Sequence, residues 1–379
     1  IKMFDDYKGF IDIEEVLKNE YNYTFNGDLR DLYSQPFIEL EGEGTNALCW
    51  IKYRGNSYLF KHFPDFKNNV WGELLSQEFA KKLGLPCAEY HAAYFRDKKG
   101  VLSKQMLKKD ETLILGYEVF QDFFTSETKK GTLKETLKKK YDSYLIPEEI
   151  RNYNSLTQSN SVFSRLNTLD QVWDILAERK DLKSEEVPNI INSYANMLLF
   201  DIFTLQGDRH PNNWGLIKKG DTYRASPLFD NSTSFGLGFP FMDKVVTNFK
   251  NAFMYARFSR DYEQIDKIVY LTRPSFTLSS DNIKNGEKES SLDVFRDFIR
   301  KTGSESIKYI EPFFREINEL NLENMIEKVS LENGIEMSDD LLGYICNVFS
   351  YHQKKLATVM DMEYQGGSKN NAGESSKRI

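Results

Sequence analysis

Short apolar runs with strand character fill the first third of the chain, and apolar residues at helical spacing dominate the rest. Residues 47–53 (ALCWIKY) and 57–63 (SYLFKHF) are two such runs, joined by Arg54-Gly55-Asn56. Two strand-like runs around a glycine turn predict a β-hairpin. Residues 88–95 and 100–107 alternate enough to predict further strands. The first third is therefore predicted to be a small β-rich lobe.

Helical periodicity appears first at residues 71–83 (WGELLSQEFAKKL), which place apolar side chains along one side and are followed by Gly84 as a stop. Residues 190–206 (IINSYANMLLFDIFTLQ) are apolar around almost the whole circumference, which predicts a buried helix. Four more segments have helical periodicity: 291–301, 307–320, 322–331 and 339–362. They would complete a mainly α-helical second lobe.

The predicted elements divide the chain into two lobes and a tail. We predict a β-rich N-lobe over residues 1–105 and a helical C-lobe over residues 106–362. Residues 363–379 are predicted to be disordered, because residues 366–379 (GGSKNNAGESSKRI) are poor in apolar side chains. Lysines and threonines crowd residues 125–140. This composition indicates a solvated helix or an insert of the C-lobe, with a guide for an acidic partner as the alternative.

Composition allows a large packed core, since 40% of the 379 residues are hydrophobic and 14% are aromatic. A net charge of −7 argues against a general nucleic-acid binder. No apolar run is long enough to span a bilayer, the first residues lack the order of a signal peptide, and the three cysteines lack paired spacing. We therefore expect a cytoplasmic protein, with delivery to a host cell as an effector as the alternative.

Candidate chemistry is concentrated around a second predicted hairpin. Residues 214–217 and 223–228 are apolar runs that flank a turn-forming segment, and Asp230 follows the second run. Because a hairpin folds back on itself, Asp230 would return to the point where the chain left Asn213. Asp208 precedes Asn213 by five positions, which is the spacing of the catalytic Asp and the metal-binding Asn in protein kinases. The alternative is that these residues only form a surface turn.

The segment Glu41-Gly42-Glu43-Gly44-Thr45-Asn46 precedes the first predicted strand pair. Glycines at this place let backbone N–H groups approach phosphate oxygens, as in the glycine-rich loop of kinases. A plain turn is the alternative reading. If the loop binds a nucleotide, the binding positions are Gly42, Gly44, Thr45 and Asn46.

A strand lysine and a helix glutamate extend the kinase pattern. Lys61 lies on the strand where a kinase carries the lysine that pairs with the α- and β-phosphates of ATP. Glu73, in the first turn of the predicted helix 71–83, is the preferred partner for Lys61, and Glu78 is the competing one. Each of these charges could instead be a solvated surface group. A hinge that contacts adenine through backbone groups would include Gln105, Met106 and Leu107.

Together these motifs resemble the HipA-like kinases, a bacterial branch of the protein-kinase superfamily that includes the HipA toxins and CtkA-like kinases. The resemblance covers roughly residues 40–240. It rests on Lys61, Gly72-Glu73, Leu83-Gly84-Leu85, the loop 207–213 and Phe229-Asp230. Family catalytic loops run Asp-x-His-x-x-Asn, and Asp208, His210 and Asn213 fit that order. The expected fold is a two-lobed, α+β protein-kinase-like fold.

The resemblance implies phosphoryl transfer from ATP, with Mg²⁺, to Ser or Thr hydroxyls of a protein substrate of unknown identity, autophosphorylation included. Asp208 would be the catalytic base, and Lys61, fixed by Glu73, would bind the α- and β-phosphates. Asn213 and Asp230 would hold Mg²⁺. His210 is interpreted as a residue that packs the loop, in preference to a proton carrier.

Two departures from the family pattern concern partners and regulation. HipA toxins carry a further N-terminal subdomain that contacts an antitoxin, whereas a short segment ending at Leu40 precedes the glycine loop here, so antitoxin pairing is doubtful. Those toxins also phosphorylate a serine near the loop, where this chain has Thr45 as its hydroxyl. Three alternatives stay open: a lipid or small-molecule kinase, an adenylyl-transferring enzyme, and a catalytically silent ATP-binding adaptor.

Overall fold

The computed structural model describes residues 9–21, 38–41, 48–63, 66–95, 98–130, 163, 166–237, 262–284 and 287–370. The predicted nucleotide-binding positions Gly42, Gly44, Thr45 and Asn46 lie outside these ranges. Part of the lysine-rich segment, from residue 131 onward, also lies outside them.

A six-stranded sheet forms the N-lobe. Its strands are β1 (Ile11–Asp12), β2 (Ile38–Glu41), β3 (Leu48–Tyr53), β4 (Asn56–His62), β5 (Tyr90–Phe95) and β6 (Lys98–Lys104). They lie in the order β1-β5-β6-β4-β3-β2, and β1 pairs in parallel with β5 while the other pairs are antiparallel. The predicted hairpin β3–β4 is present. Its turn has positive φ angles at Arg54 (46°) and Gly55 (75°), as a tight two-residue turn requires.

Two helices accompany this sheet. Helix α1 (Ile13–Tyr21) buries Ile13, Val16 and Leu17 in one hydrophobic cluster with residues of the sheet. Helix α2 (Phe66–Lys82) buries apolar side chains in the main core, which continues into the C-lobe. The helix begins five residues before the predicted start, so Glu73 lies in its interior and not in its first turn. Two asparagines in the sequence FKNNV hid this start, because asparagine has low helix propensity and tertiary packing overrides it here.

The C-lobe is mainly helical. Its helices are α3 (Gly116–Lys130), α4 (Leu169–Glu178), α5 (Val187–Thr204), α6 (Tyr262–Leu271), α7 (Ser291–Thr302), α8 (Ser306–Glu319), α9 (Leu322–Asn333) and α10 (Asp339–Asn370). Helix α5 is buried along most of its length, as its all-round apolar pattern predicted, and contacts several of the other helices. Helix α10 continues to Asn370, into the tail predicted to be disordered from residue 363. Extending an existing helix costs little compared with nucleating one.

The C-lobe also contains short strands. Strands β7 (Thr112–Leu115), β8 (Gly215–Lys219) and β9 (Thr222–Ala225) form an antiparallel sheet, and β10 (Ile283–Lys284) pairs with β11 (Glu287–Lys288). The hairpin β8–β9 is the predicted one. Among the described residues, no helix is long and apolar enough to cross a lipid bilayer. The two-lobed α+β architecture is the predicted one.

The C-lobe reaches back to the N-lobe through α9, which packs against α2. The buried Asn333 at the end of α9 accepts a hydrogen bond from the backbone N–H of Ala92 in β5 (2.8 Å). Lys328 of α9 pairs with the largely buried Glu78 of α2 at 2.5 Å. Glu78, the competing partner proposed for Lys61, is therefore bound elsewhere.

Candidate active site

The loop predicted to be catalytic, residues 206–213, begins where α5 ends and is called the catalytic loop below. Pro188 lies at the start of this helix, where its missing N–H is tolerated. At the other end Leu205 adopts a left-handed conformation (φ 56°), and the N–H of Gln206 bonds to the Asp201 carbonyl at 2.8 Å. This C-cap ends the helix and turns the chain into residues 206–213.

Strands β8 and β9 carry the chain away from this loop and back to it. Leu216 pairs with Ala225, and the Ser226 N–H closes the hairpin on the Gly215 carbonyl at 2.8 Å. The Leu228 carbonyl then accepts a hydrogen bond from the Ala88 N–H at 2.8 Å, in the segment between α2 and β5. The hairpin therefore delivers Asp230 beside the catalytic loop, as the sequence predicted.

Lys61, Glu73 and Asp230 converge on the cleft between the lobes. The Lys61 ammonium forms a short ion pair with Asp230 and lies 3.6 Å from Glu73 Oε1. Burial alone would lower the pKa of Lys61, but the carboxylates of Asp230 and Glu73 outweigh it and raise that pKa. Burial would raise the pKa of Asp230, but Lys61 outweighs it and lowers that pKa. For Glu73, burial prevails over Lys61 and raises the pKa to about 7.

Three side chains fix the backbone around Asp230, which has a positive φ of 53°. Its N–H donates to the Tyr90 hydroxyl (3.0 Å), and its carbonyl accepts from Gln206 Nε2 (2.9 Å). The next N–H, of Asn231, donates to Glu73 Oε2 at 2.8 Å. A non-glycine residue in this region costs of order 1–3 kcal/mol, and such a cost persists only where the surroundings hold it.

Asn213 and Asp208 are joined within the loop. Asn213 Nδ2 donates to the Asp208 carbonyl at 2.7 Å, which leaves the amide oxygen for a ligand. The Asp208 side chain is 53% exposed, and its Oδ1 lies 4.0 Å from His210 Nε2. Loss of hydration raises the pKa of Asp208, while His210 opposes the shift. His210 Nδ1 accepts from the Asn212 N–H at 3.2 Å, so its Nε2 carries the proton of the neutral ring.

Comparisons with solved structures match this architecture. The Helicobacter pylori proinflammatory kinase CtkA aligns with a TM-score of 0.57 at 12% identity, over 89% of this chain and 98% of CtkA. HipA of Shewanella oneidensis MR-1, solved with HipB and its operator DNA, aligns with a TM-score of 0.50 at 10% identity, over 93% of this chain and 72% of HipA. The chain has the fold of the HipA-like kinases. A scan against protein-family models and a search of curated proteins return no match.

Within this HipA-like fold, Arg209 is the main structural residue that sequence reasoning missed. Its guanidinium is fully buried and forms a bidentate pair with Asp201 at 3.0 and 2.9 Å. It also donates to the carbonyls of Asn213 (3.0 Å) and Phe229 (2.5 Å) and to Asn231 Oδ1 (2.6 Å). Arg209 therefore ties the catalytic loop to both neighbours of Asp230. The available signal was Asp201, the one charged residue in the sequence of α5.

Asn167 supports the loop from the C-lobe and was also missed. Its Nδ2 donates to the Arg209 carbonyl (2.7 Å) and to the Ser275 carbonyl (2.8 Å), while its Oδ1 accepts from Trp214 Nε1 (2.7 Å). Ser275 in turn donates to the Gly207 carbonyl at 2.6 Å. No local sequence pattern predicts the role of Asn167, because its hydrogen-bond partners are distant in the sequence.

A cavity of about 320 Å³ lies between the lobes of this HipA-like fold. Its lining includes the predicted residues Lys61, Glu73, Gln105, Met106, Leu107, Asn213 and Asp230. Apolar side chains from both lobes enclose the part next to the predicted hinge: Trp50, Leu59, Leu113 and Leu115. At the hinge, the Gln105 N–H is already bonded to the Ser57 carbonyl at 2.9 Å. A backbone N–H donor to a base would therefore come from Met106 or Leu107, while Gln105 could offer only its carbonyl.

The oxygen atoms at the inner end of the cavity fit a magnesium ion. Asn213 and Asp230 supply an amide and a carboxylate oxygen, which are ligands that Mg²⁺ prefers. In the described part of the chain, no group of three or more His, Cys, Asp or Glu side chains could hold a metal alone. That donor set suits an ion that completes its shell with phosphate oxygens and water.

Proposed function

We propose that the chain is an ATP- and Mg²⁺-dependent phosphotransferase that phosphorylates Ser or Thr hydroxyls of proteins. The observation that carries this proposal is the convergence of Lys61, Glu73, Asn213 and Asp230 on one cavity beside the Asp208 loop. A lysine held by carboxylates and two oxygen ligands at one end of an apolar slot match the requirements of Mg·ATP.

Each residue has a role that its surroundings support. Lys61 is held at the inner end of the cavity, where its ammonium can bind phosphate oxygens, and Glu73 limits its movement. Bound Mg²⁺ would neutralise phosphate charge and would be held by Asn213 and Asp230. Asp208 would accept the proton of the attacking hydroxyl, because its carboxylate lies in the loop beside the cavity and is open to an incoming acceptor.

The exposure of the base favours a protein acceptor over a small molecule. Asp208 and His210 have side chains that are 53% and 40% exposed, so the proposed base lies at an open edge of the cleft. A hydroxyl on a macromolecular surface can reach such a position without entering an enclosed pocket. A small-molecule acceptor would gain more from an enclosed pocket that buries most of its surface.

The test is intact-mass analysis of the purified chain and a generic protein acceptor after incubation with Mg·ATP. We expect phosphoryl-sized additions on Ser or Thr, absent with the Asp208→Asn variant. Adenylyl-sized additions would replace the proposal with nucleotide transfer. ATP consumption without any protein addition would mean that the phosphoryl group goes to water, which would contradict a protein acceptor. Nucleotide binding without consumption would indicate a silent adaptor.

A further inference from the structure

We propose that Gln206 is a positioning residue that couples the base Asp208 to the metal ligand Asp230, an inference that rests on the proposed function. One amide side chain contacts the backbones of both residues. Gln206 Nε2 donates to the Asp230 carbonyl at 2.9 Å, and Gln206 Oε1 accepts from the Asp208 N–H at 3.1 Å. The two acidic residues are 22 positions apart in the sequence but share this side chain.

The Gln206 side chain is fully buried, and its orientation is fixed by its neighbours. Oε1 accepts a second hydrogen bond, a short one from the Thr233 hydroxyl, while Nε2 faces a carbonyl. A flipped amide would place NH₂ against the Asp208 N–H and oxygen against the Asp230 carbonyl. Both contacts would then be repulsive, so the network allows a single orientation.

The position of Gln206 is also fixed from the backbone side. Its N–H caps α5 on the Asp201 carbonyl at 2.8 Å, immediately after the left-handed Leu205. Asp201 also binds the Arg209 side chain. The backbone of Gln206 and the rest of the loop are therefore anchored to the same buried helix. Because the Gln206 backbone is fixed, its side chain couples the positions of Asp208 and Asp230. A displacement of either acidic residue must move the Gln206 amide or break a hydrogen bond to it.

Substitutions at two other residues are matched controls, because each substitution removes a single hydrogen bond of this network. Tyr90→Phe removes the other hold on the Asp230 backbone and leaves Asp208 untouched. Thr233→Val removes the hydroxyl that bonds to Gln206 and leaves both acidic residues untouched. Gln206→Met keeps the length of the side chain and removes both couplings. Gln206→Asn, one methylene shorter, is the milder variant if Gln206→Met does not fold.

Turnover and Mg²⁺ dependence are measured together for these variants. With Gln206→Met we expect kcat to fall about 10- to 100-fold and half-saturating Mg²⁺ to rise about tenfold, because buried hydrogen bonds are lost at both residues. Tyr90→Phe should raise half-saturating Mg²⁺ with a smaller effect on kcat. Thr233→Val should change both values less than about threefold. Combining Tyr90→Phe with Gln206→Met should be non-additive in the Mg²⁺ value, since both side chains contact the backbone of Asp230, one at its N–H and one at its carbonyl.

Amide hydrogen exchange distinguishes a failure of this inference from a failure of the proposed function. In Gln206→Met the peptides that contain Asp208 and Asp230 should both exchange faster, whether or not the wild type transfers phosphate. An inactive wild type with coupled exchange would overturn the phosphotransferase proposal and retain the mechanical link. A folded Gln206→Met with wild-type kcat, Mg²⁺ dependence and exchange at both peptides would overturn the inference about Gln206.

Discussion

Arg209 is a fully buried cation within the catalytic loop, and Asp201 is the carboxylate that compensates its charge. Arg209→Met would leave Asp201 buried without a partner, so we expect a loss of about 3–5 kcal/mol in the free energy of unfolding. Urea denaturation measures this loss. Arg224→Met is the control, because the Arg224 side chain is 45% exposed in its pair with Glu111 and its loss should cost much less. Equal losses in the two variants would contradict the assigned role of Arg209.

His352 should make stability depend on pH. Its ring is fully buried, Nε2 donates to the Ile202 carbonyl at 2.7 Å, and Nδ1 has no hydrogen-bond partner in the described part of the chain. Burial lowers the pKa of His352 to about 4, from an ordinary value of 6.5. The unfolded chain therefore binds this proton first, and stability should be lost as pH falls from about 6.5 to 4, by at most about 3 kcal/mol.

Replacement of His352 by glutamine keeps a donor for the Ile202 carbonyl and removes the titration. Chemical denaturation at a series of pH values should show a flatter slope between pH 6.5 and 4 for His352→Gln than for the wild type. Parallel pH profiles would show that His352 does not titrate in this range. This dependence was not predicted from the sequence, because burial of a single histidine depends on contacts far along the chain.

At the scale of elements, α2 packs closely against the segment that follows Asp230, and Gly72 lies at the point of contact. A Cβ at Gly72 would lie 2.3 Å from the Ser232 carbonyl oxygen. Gly72→Ala should therefore displace α2, weaken the contact of Glu73 with Asn231, and cost about 1–3 kcal/mol. We expect a weaker affinity for Mg·ATP, measured by calorimetry, together with lower stability.

Gly84→Ala is the matched control for this glycine contact. Gly84 has a φ of 68°, but no atom lies within 4 Å of the added Cβ. The substitution should cost about 1 kcal/mol of stability through backbone strain and leave nucleotide affinity unchanged. If both variants bind Mg·ATP as the wild type does, close packing of α2 is not what positions Glu73.

Elements encoded by local sequence were predictable, and those set by tertiary contacts were not. The hairpins β3–β4 and β8–β9 have glycine turns between apolar runs, so both were predicted. The β8–β9 pattern also predicted that Asp230 lies close to Asn213 in space. Strand β7 was missed, because its four residues pair with β8, about 100 positions later. The early start of α2 was missed because polar residues interrupt its apolar pattern.

At the scale of the whole molecule, α9 joins the lobes through Asn333. Asn333→Ala would leave the buried Ala92 N–H without its acceptor, at a cost of about 1–3 kcal/mol. We expect the thermal unfolding temperature to fall, and exchange in β5 to increase. Asn324→Ala, at an exposed position of the same helix, should change neither. A protected β5 in Asn333→Ala would show that this contact does not hold the lobes together.

Contacts between lobes lay beyond sequence reasoning. Glu78 and Lys328 are 250 positions apart, and each has the pattern of an ordinary helix-surface charge. The sequence therefore left Glu73 and Glu78 as competing partners of Lys61, and the structure separates them by direction: Glu73 faces the cleft, and Glu78 faces α9. The proposed site residues were easier to predict, since the spacing of Asp208 and Asn213 is the one that phosphoryl transfer requires in kinases.

ADP release at saturating Mg·ATP, compared between the wild type and Asp208→Asn, tests the proposed chemistry most directly, because it does not require the acceptor to be known. Nucleotide affinity is measured on the same samples. We expect the wild type to release ADP, by autophosphorylation or by transfer to water. The Asp208→Asn variant should bind Mg·ATP equally well but should release ADP at least about 100-fold more slowly. Equal release by both proteins, or binding without release by the wild type, would contradict Asp208 as the base of a phosphotransferase.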